Sequence, residues 1–194
     1  MTNSDSALLV MDIQRGIVDR FPESVTADYL TRIGTAIDAA RAAGTPVVHV
    51  VIGFRAGHPE VSTRNKAFGA VAGSAAFVEG DPSAEIHPAL APQPGDVVVT
   101  KKRVSAFAGS DLDMVLRGAG ATRLVLAGIA TSGVVLSTLR QAADLDFGLT
   151  VLSDGCLDGD AEVHRVLTEK VFPRQADVVG VDEWVKAIGR QRIG

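Results

Sequence analysis

The chain holds one cysteine, Cys156, among its 194 residues, so no disulfide can form within it. Histidine is also scarce. His49, His58, His87 and His164 are scattered with no metal-ligand spacing, and no metal site is expected from them. Positive charge is not in excess: the formal net charge is -4, which argues against a nucleic-acid partner. No apolar run approaches the roughly 20 residues of a membrane helix, so no membrane partner is expected. The first six residues lack a basic stretch ahead of a hydrophobic run, so no signal peptide is expected and the setting is read as cytoplasmic and reduced.

What is present is a rich apolar fraction, 46% of residues, which excludes a disordered chain. A chain of this length buries roughly 70% of its unfolded surface, so residues 1–194 read as a single domain that needs no metal or disulfide staple. Short β-branched runs alternate with helical patterns. Strands are expected at 7–11, 46–52, 97–100, 123–127, 149–152 and 177–179. Helices are expected at 27–43, 112–117, 132–145 and 161–171. Gly44 and Pro46 mark the end of the first helix. Residues 53–94 are irregular and hold Pro59, Pro82, Pro88, Pro92 and Pro94, so short helices and a functional loop are expected there. The alternation implies an α/β fold of three layers, α/β/α, with a mainly parallel sheet of Rossmann-like topology.

Ligands of such sheets sit beyond the carboxyl ends of the strands. Asp12, Lys101, the segment Gly128–Val134 and Asp154 all fall at expected strand ends. They converge only if their strands are neighbours. Alternation along the strand sends Lys101 and Lys102 to opposite sides. Gly118-Ala119-Gly120 follows a helix instead of a strand, the reverse of a dinucleotide fingerprint, and no cofactor is expected.

Three segments carry a resemblance that runs from Leu8 to about Val179: Leu8-Leu9-Val10-Met11-Asp12-Ile13-Gln14; Lys101 to Phe107 with Asp111-Leu112 after it; and Leu126-Ala127-Gly128-Ile129-Ala130-Thr131-Ser132-Gly133. Together they resemble the isochorismatase-like hydrolase superfamily, which includes nicotinamidases and other cysteine hydrolases. The resemblance implies that Asp12 and Lys101 are two members of a catalytic triad. It also implies a cis peptide at Ile129-Ala130 and an oxyanion hole from the backbone N–H groups of Ala130 and Val134. The position matching the nucleophilic cysteine is Val134. A valine has no lone pair and cannot attack a carbonyl, so thiol-type amide hydrolysis is not expected. Isochorismatases proper also lack the cysteine and are taken to use the aspartate as proton donor, but they carry glycine where this chain has valine.

Around this core, Arg55, Thr131 and Ser132 read as substrate-binding residues, with Arg55 suited to an anion. The metal-dependent branch of the superfamily places an Asp-x-His after the second strand, whereas this chain has Gly53 to His58 there. His58 reads as a loop residue, His49 as core, and His87 and His164 as surface. Three readings stand open: a hydrolase of a small molecule acting through Asp12 and Lys101, a non-catalytic relative binding a ligand or partner, and an amidase with Cys156 or Ser132 as swapped nucleophile. Cys156 reads first as a small buried residue. Phe54, Phe68 and Phe77 in the long loop, and the family resembled, point to a homodimer or higher homo-oligomer.

Overall fold

The computed structural model describes residues 5–190. Six strands form one sheet: β1 (Ser6–Met11), β2 (Val47–Ile52), β3 (Val97–Lys101), β4 (Arg123–Ile129), β5 (Gly148–Leu157) and β6 (Asp177–Val179). Their order is β3-β2-β1-β4-β5-β6 and every pairing is parallel. The helices are α1 (Arg15–Val18), α2 (Glu23–Ala43), α3 (Leu112–Gly118), α4 (Leu136–Asp144), α5 (Ala161–Val166) and α6 (Val181–Arg190).

Side-chain alternation along β1 builds the layers. Ala7, Leu9 and Met11 face one core, which contains Leu112 and Leu116 of α3 and Leu139 and Ala142 of α4. Leu8 and Val10 face the other, filled by Tyr29, Ile33, Ile37 and Ala40 of α2 and Trp184 of α6. The central strand is therefore apolar on both faces, as a doubly covered parallel sheet requires. The expected three-layer α/β/α fold is the observed one.

Several expected boundaries move. Helix α2 begins at Glu23, right after Pro22, four residues before the expected start. The helix expected at 132–145 is a wide turn over Thr131–Val135 followed by α4, because Gly133 takes non-helical angles (φ -98°, ψ -105°). The helix expected at 161–171 ends as α5 at Val166 and continues as a wide turn to Val171. Strand β5 runs on to Leu157. Helix α6 was not expected at all, although Val181, Trp184, Val185 and Ile188 carry a helical spacing and pack on the α2 side of the sheet.

The long segment 53–94 contains two short 3₁₀ turns, Pro82–Ala84 and Pro88–Leu90. The buried Gln14 amide ties it down. Its Nε2 donates to Ile52 O and Ala84 O, each at 2.8 Å, and its Oε1 accepts from Ile52 N–H at 2.9 Å. Neighbouring backbone bonds join Arg15 N–H to Glu85 O and His87 N–H to Ile13 O, both at 2.9 Å.

Candidate active site

The order of the sheet reverses between β1 and β4, and a crevice forms outside their carboxyl ends. Asp12 leaves β1 there with a left-handed backbone (φ 57°), fixed by its N–H donating to Val50 O at 2.8 Å. Gly128 lies beside it on β4. A Cβ at Gly128 would stand 2.3 Å from Met11 O, so only glycine lets the two strands approach this closely. The Ile129–Ala130 peptide is cis, as the resemblance implied.

Lys101 reaches Asp12 from two strands away, a distance of about 9–10 Å at ordinary strand spacing. Its register partner is Ile52, the last residue of β2, so its long stem passes over that strand's end. Lys101 Nζ meets Asp12 Oδ2 at 2.9 Å and donates to Arg103 O at 2.9 Å. Both side chains are buried. Asp12 Oδ1 is also buried and makes no hydrogen bond with the described residues. Burial pushes the Asp12 carboxyl up to about 6, against the opposing charge and hydrogen bond of Lys101. Lys102 points the other way and donates to Gly53 O at 2.6 Å.

The pair lies in a cleft of about 210 Å³. Its apolar walls include Ile52, Phe54, Phe68, Val71, Phe77 and Val104, and Ala130, Gly133 and Val134 line it beside Asp12. Val134 is buried in this wall, and its side chain carries no lone pair that could act as a nucleophile.

The structure brings Asp12, Lys101, Ala130 and Val134 together, and sets the other expected contacts elsewhere. Arg55 does not line the cleft. Its guanidinium is 70% exposed and pairs with Glu60 at 2.5 Å, because the loop turns back on itself there. Thr131 is fully buried, and its Oγ1 lies 2.8 Å from His164 Nδ1. His164, expected on the surface, is half-buried by this contact. Ser132 is exposed, and its backbone N–H donates to Asp158 at 2.7 Å. Neither hydroxyl lines the cleft. Asp154 lies within β5, away from any strand end, and accepts from Val181 N–H at 2.8 Å at the start of α6.

Cys156 is buried outside the cleft, and burial pushes its thiol up to about 12, far from a reactive thiolate. His58 is buried, with Nε2 3.1 Å from Ala76 O, and His49 is buried within β2. Among the described residues no group of three or more His, Cys, Asp or Glu could hold a metal ion. The charged residue that sequence reading missed is Arg20, which lines the cleft. It follows α1, a single turn too short to show helical periodicity.

The isochorismatase domain family model matches residues 6–183. Over 192 residues the chain is 34% identical to an uncharacterized isochorismatase family protein, YecD, of Escherichia coli, covering 94% of this chain and 96% of that one. It is 32% identical to the ureidoacrylate amidohydrolase RutB of Stutzerimonas stutzeri, covering 97% of this chain and 82% of the relative. A cysteine hydrolase from Pseudomonas syringae pv. phaseolicola shares the fold with a TM-score of 0.89, at 24% identity, over 98% of this chain and 94% of that one. Among the described residues no helix is long and apolar enough to cross a membrane. From the matched domain model, these relatives and the site geometry together, the chain belongs to the isochorismatase family of hydrolases.

Proposed function

We propose that this chain hydrolyses a small molecule in the Asp12–Lys101 cleft without forming a covalent intermediate. Asp12 is the proton-transfer group, and Lys101 orients it and restrains its charge. The observation that carries this reading is the Asp12 carboxyl itself: one oxygen is held by Lys101, the other is buried with no hydrogen bond from the described residues, and burial pushes the group up to about 6. The backbone N–H groups of Ala130 and Val134 are the donors for negative charge developing on the substrate, a role that survives the loss of a cysteine side chain. Water is the attacking group, since Val134 supplies none.

Val134 favours a second reading, in which the cleft binds a ligand and turns nothing over. The swapped-nucleophile reading has less support, because Cys156 is buried outside the cleft and Ser132 does not line it. The proposal keeps residues 1–194 as one domain in a cytoplasmic setting. It also includes self-association, although Phe54 and Phe77, from which it was expected, are buried, and the apolar residues left exposed are Val98, Met114 and Leu145 among others.

A panel of small amides, esters and vinyl ethers tests the reading, with intact-mass spectrometry during turnover. Hydrolysis of at least one compound with no mass adduct on the protein is expected. An adduct on Cys156 or Ser132 would establish the swapped nucleophile. Binding without hydrolysis across the panel would establish the binding relative.

A further inference from the structure

The cleft contains three charged side chains, Asp12, Lys101 and Arg20. Asp12 and Lys101 are 2.9 Å apart and offset each other. Arg20 remains as one uncompensated cation in an apolar-walled cleft, on a protein whose formal net charge is -4. Among the described residues Arg20 makes no ion pair; its guanidinium lies over the Phe77 ring, 5.7 Å from the centroid. The other cation expected to meet an anion, Arg55, is paired with Glu60 outside the cleft.

We propose that Arg20 is a specificity-determining residue, selecting small acids that carry one carboxylate on an apolar body. This rests on the cleft being the substrate site and adds the charge and shape of what enters it. An arginine fork matches a carboxylate in two parallel hydrogen bonds. Phe77 holds the guanidinium against the cleft wall by its ring face, which limits the freedom lost when a carboxylate arrives. Phe54 and Phe68, packed edge to face with centroids 5.7 Å apart, supply apolar surface for the remainder of the ligand. Arg20 itself is exposed, so its attraction for an anion is partly screened, while the apolar walls take the body of the ligand. A second carboxylate on the ligand would find no further free cation among the cleft's described side chains.

The test uses benzoate and benzamide, which share a shape and differ in charge, titrated into the full chain and followed by backbone amide NMR. Benzoate should bind at least about tenfold more tightly than benzamide, with shifts centred on the cleft, as a charge-assisted pair implies. Arg20→Gln should erase the preference, and Arg20→Lys should retain only part of it. Added salt should shrink it, since Arg20 is exposed. The proposal is overturned if the two probes bind alike, if Arg20→Gln keeps the preference, or if benzoate leaves the cleft amides unmoved up to its solubility limit. No turnover is needed, so a cleft that hydrolyses nothing still passes or fails this test on its own terms.

Discussion

Asp12 and Asp96 are both buried carboxylates beside a cation, with side chains 9% and 5% exposed, the first just after β1 and the second just before β3. They titrate in opposite directions. Burial pushes each upward. For Asp96 this is outweighed by hydrogen bonds from Arg41 and from Gln93 N–H and by the Arg41 charge, which together hold it below the ordinary carboxylate range. Arg41 approaches at 2.5 Å and Gln93 N–H at 2.8 Å. His49 Nε2 lies 3.5 Å away, and burial lowers its own value against the pull of the Asp96 charge. Among the described residues Asp12 has one cationic partner and one oxygen without a hydrogen bond, so burial wins and it rises to about 6. The difference is one of coordination. A carboxylate surrounded by donors is a fastener, while one left partly unsatisfied beside a cleft can exchange a proton.

The sharpest way to break this contrast is to neutralise each carboxylate in turn. Asp12→Asn should lower kcat by about 10²- to 10⁴-fold, the usual span of a general acid or base. Asp96→Asn should leave kcat within about twofold once folded protein is compared, since Asp96 lies apart from the cleft lining. Equal losses in the two variants would remove the distinction.

Stability should also respond. Asp96→Asn removes the shorter of Arg41's ion pairs and leaves Asp38 in place, so it should cost about 1 kcal/mol in urea unfolding. The double change Asp12→Asn with Lys101→Met removes both charges of the buried pair and should cost less than Lys101→Met alone, which leaves the buried Asp12 carboxylate without its cation.

pH then sharpens the contrast. The folded Asp12 value is raised, from 3.8 to about 6, so the neutral form stabilises the fold at low pH and that contribution is lost as pH rises through this window. The Asp96 value is depressed, so its contribution is present above its unfolded value and lost as pH falls through the folded one. With Asp12 as proton donor, kcat/KM should fall about tenfold per unit above pH about 6. A profile rising through that pH would assign it as a base instead.

The smallest effect concerns thiols. Iodoacetamide should leave activity unchanged, because burial keeps the Cys156 thiol protonated. Inactivation that tracks Cys156 labelling would return the nucleophile to that residue.

Much of this site was legible in sequence because strand ends are. Asp12 and Lys101 each close an apolar run and the Gly128–Val134 turn follows another; the family resemblance picks Lys101, and the strand order of the sheet then gathers them. What sequence could not give was the course of the chain between elements. Arg55 looked suited to the cleft because it follows β2, yet local pairing with Glu60 turns it outward. Arg20 was missed because α1 is a single turn with no periodicity to read. Asp154 reads as a strand end because the strand is expected to stop at 152, whereas β5 runs to Leu157 and Asp154 accepts from the Val181 N–H of α6. The spacing of Val181, Trp184, Val185 and Ile188 was the available signal.

The Gln14 amide behaves like an extra strand residue, satisfying both directions of Ile52's backbone and one carbonyl of the distant loop. Phe77, one wall of the cleft, sits on that loop and is clasped to the same region through Phe54 N–H donating to its carbonyl at 2.8 Å. The ordering entropy of this wall is thereby spent during folding instead of at ligand capture. Amide protons at Ile52 and Phe54 should accordingly exchange with solvent at rates typical of the sheet's interior, and a ligand entering the cleft should slow them little further.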